Sequence, residues 1–164
     1  SVPITRWTLG KTTEKGILGD VPEWKGWQDI GIIAACPPQF TAEPCMLCQA
    51  CVDACRENAI TLIADIECPQ SDFTRCLYCG ACMKVCPTGT ISKGAQGYRV
   101  QLGGKLGRHP QLAKELPGIY DEDQVLQIVN DCLHLYTRNS QHGERFGQIL
   151  TSADFEKIAA RYRS

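Results

Sequence analysis

Eight of the eleven cysteines fall in two runs of identical spacing. In each run, three cysteines are separated by two residues, and a fourth follows after three more. The two runs are offset by 31 residues, and only the second is followed by proline, at Pro87. This regular offset is an internal repeat. Its members are Cys45, Cys48, Cys51 and Cys55 in the first run, and Cys76, Cys79, Cys82 and Cys86 in the second.

The spacing is typical of proteins that hold two [4Fe–4S] clusters. Three thiolates of one run can bind three corners of a cluster, and the distal cysteine then binds the cluster of the other run. We predict that all eight cysteines are metal ligands and that none is a catalytic nucleophile. The first cluster is assigned to Cys45, Cys48, Cys51 and Cys86, and the second to Cys76, Cys79, Cys82 and Cys55.

Two other uses of these cysteines have to be weighed. A disulfide framework suits a small secreted chain, but no signal peptide is visible and the chain has 164 residues with which to build a core. Zinc takes four ligands, so that each run could close one site. Zinc sites usually use cysteine pairs separated by a long spacer, and two triplets with distal cysteines fit clusters better.

Composition narrows the class of protein further. An apolar content of 43% is ordinary for a soluble domain, and no apolar run reaches the length of a membrane span. Cysteine-rich composition without a secretion signal predicts a reducing, cytoplasmic compartment. Residues 41–92 carry six acidic and three basic residues, and no basic stripe suggests nucleic-acid binding.

The flanking segments show the pattern of a mixed fold. Short strands are predicted over 29–36, 40–42, 59–64 and 97–103, with short helices after Cys51 and Cys82. Strands 30–36 and 97–103 can pair as the two arms of a hairpin. Helices are predicted over 109–116, from Asp121 to about 136, and from Thr151 to about 161.

Individual side chains receive more modest roles. We expect Ile60, Leu62, Phe73 and Ile91 to cover the clusters, and Trp7, Trp24 and Trp27 to pack on a core or partner surface. The three remaining cysteines lack ligand spacing. We interpret Cys36 and Cys132 as core residues and Cys68 as a packed or surface thiol.

The stretch Gly97-Tyr-Arg-Val-Gln-Leu-Gly-Gly-Lys-Leu-Gly-Arg-His-Pro110 resembles the ferredoxin-bearing branch of the siroheme sulfite and nitrite reductases. Asp29-Ile-Gly-Ile-Ile33 and Gly143-Glu-Arg-Phe-Gly147 are similar to that family too. Its nearest members by these motifs are dissimilatory sulfite reductase subunits and the siroheme subunit of anaerobic sulfite reductase. The resemblance covers residues 29 to about 161.

This resemblance implies an α+β fold. A two-[4Fe–4S] ferredoxin-like domain, residues 39–93, would be inserted in a hairpin of a partial sulfite-reductase-type α+β domain formed by residues 1–38 and 94–164. It also implies electron transfer toward a siroheme-bearing reductase domain or subunit, with an electron donor protein as a second partner. Sulfite and nitrite are both open as final acceptors.

The chain departs from the family in one respect. In the family, a Cys-x5-Cys pair and a later Cys-x3-Cys pair hold the siroheme-bridged cluster. Outside the two runs no cysteines have these spacings, so siroheme is not expected on this chain alone. We therefore expect an excised portion of a reductase or a cut-down homologue. A free-standing low-potential electron carrier and a structural metal-bound interaction module stay open as alternatives.

Three residues that follow Gly103-Gly104 are weaker candidates for binding a cofactor or a partner. Lys105 and Arg108 could face a siroheme carboxylate or a partner subunit, but a turn with solvated cations is the more common use of such a segment. His109 is interpreted as a helix-start residue rather than a haem ligand.

Overall fold

The computed structural model describes residues 28–63, 68–105 and 108–163. Helices and strands are mixed along the chain, which confirms the predicted α+β composition. The chain forms two compact units. Of the described residues, one unit contains 28–32, 100–105, 108–117 and 127–163, and the other, named here the cysteine unit, contains 33–63, 68–99 and 118–126.

Within the cysteine unit, the sequence repeat is also a structural repeat. Each half consists of a strand, a one-turn helix and a second strand, and the elements of the second half follow those of the first at about the sequence offset. The first half contains β2 (Pro38–Phe40), α1 (Ala50–Asp53) and β3 (Ile60–Ile63), and the second contains β4 (Cys68–Ser71), α2 (Ala81–Val85) and β5 (Ile91–Lys93).

The two halves exchange their strands. Strand β2 pairs antiparallel with β5, with Phe40 opposite Ile91. Strand β3 pairs antiparallel with β4, with Ile60 opposite Ser71. Exchanging the two halves turns the first pair into the second, because β4 is the equivalent of β2 and β3 is the equivalent of β5. Each two-stranded sheet therefore joins the opening strand of one half to the closing strand of the other.

The backbone turns repeat as faithfully as the strands. Three positions in each half adopt the left-handed conformation, although only two of the six residues are glycine. The pairs are Leu47 (φ 55°) and Tyr78 (φ 54°), Gln49 (φ 63°) and Gly80 (φ 74°), and Asn58 (φ 48°) and Gly89 (φ 76°). Such a conformation is uncommon for bulky residues, so the path of these loops is set by the repeat rather than by glycine placement.

A three-stranded sheet has the order β1 (Ile30–Ala35), β6 (Gly97–Leu102) and β7 (Lys114–Glu115). The two strands predicted as hairpin arms are thus neighbours in this sheet. Val100 and Leu102 on β6 are buried, as their alternation with polar residues predicted.

The helix predicted over 109–116 is wrong. The Leu116 N–H donates to the Val100 carbonyl, and Lys114 pairs with Leu102 as part of β7. A short, weakly amphipathic segment gains more from these sheet hydrogen bonds than from one isolated helical turn.

The other two predicted helices are present as α3 (Glu122–Asn139) and α5 (Ser152–Tyr162), joined through the short α4 (Phe146–Ile149). The Gln124 N–H donates to Asp121 Oδ1, and the Asp121 N–H donates to Gln124 Oε1, forming the expected capping box. The Thr151 hydroxyl accepts from the Asp154 N–H at the start of α5. Cys132 is fully buried on α3, in agreement with its predicted core role.

Asp29 connects segments that are far apart in the sequence. Its Oδ2 accepts from Arg145 Nε (3.1 Å) and Nη2 (2.8 Å), and its Oδ1 accepts from the Gly147 N–H (3.2 Å). The Asp29 carbonyl accepts from the Gly103 N–H. Three of the motifs on which the family resemblance rested therefore meet at this residue, two through its carboxylate and backbone carbonyl acceptors and one as Asp29 itself.

Trp7, Trp24 and Trp27 lie outside the described residues, and so does Ala64 at the end of the predicted strand 59–64. Among the described residues, no helix has the length and apolar character needed to cross a membrane.

Candidate iron-sulfur centres

One cavity of the cysteine unit brings together cysteines from both runs. Its wall contains the three closely spaced cysteines of the first run and the distal cysteine of the second. Leu62, Thr90 and Ile91 complete much of the remaining wall. The cysteines are Cys45, Cys48, Cys51 and Cys86. This set is the one predicted to hold the first cluster.

The loop of the first run is shaped around its sulfur atoms. The Leu47 N–H donates to Cys45 Sγ at 3.4 Å, an orientation that follows from the left-handed backbone at Leu47. Gln49, also left-handed, then turns the chain into α1, which buries Cys51. Cys48 stays exposed at the rim.

The second run repeats this arrangement. The Tyr78 N–H donates to Cys76 Sγ, again at 3.4 Å, and Gly80 leads into α2, which buries Cys82. Burial raises the pKa of Cys76, and the nearby Cys79 and Cys55 sulfurs raise it further. The distal cysteine of the first run therefore lies close enough to Cys76 for their charges to interact.

The same crowding of thiols raises other pKa values. Burial, and to a smaller degree Cys45 and Cys48, raises the pKa of Cys51. Burial raises the pKa of Cys82 to about 11, with Cys76 and Cys79 acting in the same direction. Thiolate groups held this close repel one another, and bound iron ions, which are positively charged, would offset the repulsion.

The distal cysteines receive hydrogen bonds from the strands that follow them. The Ala59 N–H donates to Cys55 Sγ at 3.3 Å, and the Ile91 N–H donates to Cys86 Sγ at 3.5 Å. Burial opposes ionisation of Cys86, but the bonds from Ile91 and Thr88 outweigh it and lower the pKa of this thiol. N–H groups aimed at sulfur stabilise the thiolate that a cluster requires.

Apolar packing around the sulfur atoms follows the prediction at three of four positions. Ile60 and Ile91 are buried against Cys51 and Cys82, and Leu62 lines the cavity. Phe73 differs, because half of its surface is exposed. It stacks on the Tyr78 ring instead, with the ring centroids 6.3 Å apart.

A threonine chain near Cys86 was not predicted from the sequence. Thr88 Oγ1 lies 3.7 Å from Cys86 Sγ and 2.7 Å from Thr90 Oγ1, and Thr90 Oγ1 donates to the Pro44 carbonyl at 3.1 Å. Thr90 is buried, with 1% of its surface exposed. The sequence does contain one sign of this chain, because Thr90 departs from the repeat: the equivalent residue in the first half is Ala59.

Arg99 was also missed. Its Nη1 donates to the Leu77 carbonyl at 3.1 Å, and its guanidinium lies over the Tyr78 ring, 6.0 Å from the centroid. In the sequence, Arg99 is only one residue of the predicted strand 97–103. Its contact with the second cysteine loop spans 22 residues of sequence and leaves no mark in local periodicity.

The three other cysteines occupy separate positions. The Cys36 N–H donates to the Tyr78 carbonyl, and its side chain is half-buried. The Cys68 thiol donates to the Pro69 carbonyl at 3.6 Å on β4. Within the described part of the chain, no three His, Cys, Asp or Glu side chains converge closely enough to hold a single metal ion. A [4Fe–4S] cluster differs in its demands, because each of its iron atoms takes one cysteine.

The other unit has a groove of about 440 Å³. Lys105 lines it together with Gln111, Lys114, Gly147 and Phe155. Lys105 and Gln111 exchange backbone hydrogen bonds. Arg108 and His109 are exposed.

Comparison with known proteins places these features in context. A family model described as the nitrite and sulphite reductase 4Fe-4S domain matches residues 25–163. No curated protein matches the chain. Among solved structures, the chain is similar to the crystal structure of dissimilatory sulfite reductase I, with a TM-score of 0.54 and 14% sequence identity. The similarity covers 84% of this chain and 38% of that one, and it concerns the fold.

Proposed function

This chain belongs to the family of nitrite and sulphite reductase 4Fe-4S domains, and we propose that it is the electron-transfer portion of a siroheme-type sulfite or nitrite reductase. The family match confirms the resemblance predicted from the sequence motifs. In this proposal, single electrons pass through two [4Fe–4S] clusters held by the cysteine unit.

The observation that carries the proposal is the shared cavity. Three cysteines of the first run and Cys86 of the second line the same cavity, and the pairing of β2 with β5 connects the two halves that carry them. The closeness of Cys55 to Cys76 supports the reciprocal arrangement at the second site. We assign the first cluster to Cys45, Cys48, Cys51 and Cys86, and the second to Cys76, Cys79, Cys82 and Cys55.

Each cluster, when bound, supplies a site that takes up and releases one electron. The chain contributes the ligands, the sulfur-directed N–H groups of Leu47, Tyr78, Ala59 and Ile91, and the apolar cover of Ile60 and Ile91. Such donors and such cover are the features by which proteins adjust the potential of an iron-sulfur site. No step of bond-making chemistry is assigned to these residues.

The arrangement along the chain supports an inserted domain. All elements from β2 to β5 lie between β1 and β6 in the sequence, and β1 and β6 are neighbours in one sheet. We propose that residues 39–93 form the inserted ferredoxin-like domain and that residues 1–38 and 94–164 belong to the partial reductase domain.

The partners follow from the same proposal. This chain spans 38% of the similar reductase structure, and the siroheme-bearing portion is proposed to be a separate domain or subunit. A low-potential one-electron donor protein would supply the electrons. Exposed Cys48 and Cys79 place one ligand of each proposed site at the surface, where an electron can arrive or leave.

Metal analysis of anaerobically prepared protein tests the cofactor assignment. Two cubane clusters require about eight iron and about eight acid-labile sulfide per chain, with negligible zinc. Stoichiometric zinc without sulfide would overturn the proposal. Iron and sulfide without reversible one-electron reduction would instead favour a structural module.

Substitution of each distal cysteine by serine tests the crossed ligation. Cys55→Ser should damage the cluster of the second run and leave the first, and Cys86→Ser should do the opposite. Each variant should retain about four iron, with a different spectroscopic signal remaining. If each substitution damaged the cluster of its own run, the crossed assignment would be refuted.

A further inference from the structure

The two proposed cluster sites differ in charge where the repeat aligns them. Pro44 precedes the first ligand of the first site, and the equivalent residue of the second site is Arg75. Pro87 follows the distal ligand of the first site, and the equivalent residue of the second site is Arg56. Under crossed ligation, two prolines therefore flank the first site and two arginines flank the second.

Arg99 adds a third cation on the same side. Its Nη1 donates to the carbonyl of Leu77, which directly follows ligand Cys76, and its guanidinium lies over the ring of Tyr78. The equivalent residue of Tyr78 in the first half is Leu47, which has no aromatic ring to receive a cation. The first loop therefore cannot form this cation–aromatic contact, and the repeat allows the two loops to be compared within one chain.

Burial makes Arg99 the most important of the three. Its side chain is half-buried against the loop, whereas Arg56 and Arg75 are exposed. Water and salt screen exposed charges much more strongly than partly buried ones. Acidic residues also have to be considered: Asp72 and Glu57 lie near ligands of the second site in sequence, but both are exposed and screened.

Glu43 is the acidic residue that comes just before Pro44 at the first site. It is exposed like Asp72 and Glu57, so its charge is screened in the same way. A site gains one negative charge on reduction, so a nearby cation stabilises its reduced form and a nearby anion destabilises it.

We propose that Arg99, assisted by Arg56 and Arg75, raises the reduction potential of the site formed by Cys76, Cys79, Cys82 and Cys55 above that of the site formed by Cys45, Cys48, Cys51 and Cys86. This inference rests on the proposed function, because it requires both clusters. Movement of one electron from the first site to the second oxidises the first and reduces the second, and no bond is made or broken. The second-run site is thereby the preferred resting place of a single electron within this chain.

The test is a redox titration of the full chain with both clusters reconstituted, followed by electron paramagnetic resonance with dithionite as the reductant. Wild-type protein should show two potentials. Arg99→Gln removes the charge and keeps a side-chain donor for the Leu77 carbonyl. The higher of the two potentials should fall, and the lower one should stay within error of its wild-type value.

Two control variants separate charge from structure. Arg99→Lys keeps the positive charge but loses the planar fork, so the higher potential should stay closer to the wild-type value than in Arg99→Gln. Lys157 lies on α5, and 79% of its side chain is exposed. Lys157→Gln removes one positive charge there and should leave both potentials unchanged. If Arg99→Lys lowered the potential as much as Arg99→Gln, the charge would not be the cause.

The identity of the responding site can be checked with the distal-cysteine variants. In Cys86→Ser, the remaining potential should still respond to Arg99→Gln, and in Cys55→Ser it should not. A fall in the lower potential, an equal fall in both, or no change would overturn the inference. An iron content too low for two clusters in wild-type protein would instead overturn the proposed function, so the two failures are distinguishable.

Discussion

Thr90 provides a sharp test of the proposed first cluster site. Its hydroxyl donates to the Pro44 carbonyl, next to ligand Cys45, and also bonds to Thr88 Oγ1, which contacts the Sγ of ligand Cys86. One buried hydroxyl therefore connects ligands from opposite ends of the repeat. Thr90→Val retains the branched shape and removes both hydrogen bonds.

The expected magnitude follows from these two bonds. A typical intramolecular hydrogen bond contributes about 0.5–1.5 kcal/mol net, so the loss should amount to about 1–3 kcal/mol. If these bonds hold the cavity closed, the population of the open site rises by about 5- to 140-fold. Release of iron from this site should accelerate by the same factor, because release requires opening.

The assay is iron release to an excess of chelator under anaerobic conditions, recorded as two kinetic phases. We expect Thr90→Val to accelerate the phase that disappears in Cys86→Ser and to leave the other phase unchanged. Thr61→Val makes the same chemical change at an exposed position of β3 and should affect neither phase. Equal acceleration of both phases, or of neither, would refute the role assigned to Thr90.

Three further predictions concern the fold around the site. Gly147→Ala should lower the free energy of unfolding by about 1–3 kcal/mol, because its Cβ would lie 2.5 Å from the Gly103 carbonyl oxygen. Gly143→Ala meets no atom within 4 Å and should lower it only by the about 1–2 kcal/mol that a left-handed backbone costs alanine. Thermal unfolding measures both, and a loss below about 1 kcal/mol at Gly147 would contradict the reasoning. Hydrogen bonds from backbone N–H groups lower the pKa of Glu144 to about 2, so the stability it contributes is present above pH 4.5 and lost as the pH falls toward 2. Glu144→Gln should flatten this part of the stability–pH curve, and an unchanged slope would argue against it. Asp121→Ala should cost about 1 kcal/mol by removing the cap of α3, measured by denaturant unfolding, and a negligible change would show that the cap is dispensable.

Sequence spacing predicted much of the cysteine unit because the repeat is local information. The short helices α1 and α2 form close to the predicted places, but each begins one residue before the third cysteine of its run and contains it rather than following it. Strand β3 also lies within the predicted range, whereas β2 overlaps the predicted strand 40–42 only at Phe40, and β4 and β5 were not predicted. Where two halves of a chain share a ligand pattern, one set of backbone turns satisfies both.

The prediction failed where a contact between distant segments decided the structure. Residues 109–116 have helical propensity and a proline at the first turn, but Leu116 donates to Val100 and Lys114 pairs with Leu102. Nothing in the local pattern of this segment identifies β6 as its partner. The contact of Arg99 with Leu77 escaped prediction for the same reason.

Phe73 shows a different limit of sequence reasoning. Its apolar character predicted a place in the cover of the clusters, yet the ring stacks on Tyr78 and stays half-exposed. Hydrophobic side chains are common on protein surfaces, so apolar character alone does not establish burial. Ile60 and Ile91 were easier to predict because they occupy equivalent positions of the repeat, on β3 and β5.

The left-handed residues link the backbone to the proposed chemistry. Leu47 and Tyr78 are bulky, and this conformation costs such residues about 1–2 kcal/mol each. Both keep it, and in both the N–H donates to the sulfur two residues earlier, at 3.4 Å. A turn that served only to reverse the chain would be better made with glycine, whereas a turn that aims an N–H at a thiolate gains from any residue able to hold it. The repeated strain therefore favours loops that are shaped to stabilise negatively charged sulfur, as cluster ligation requires.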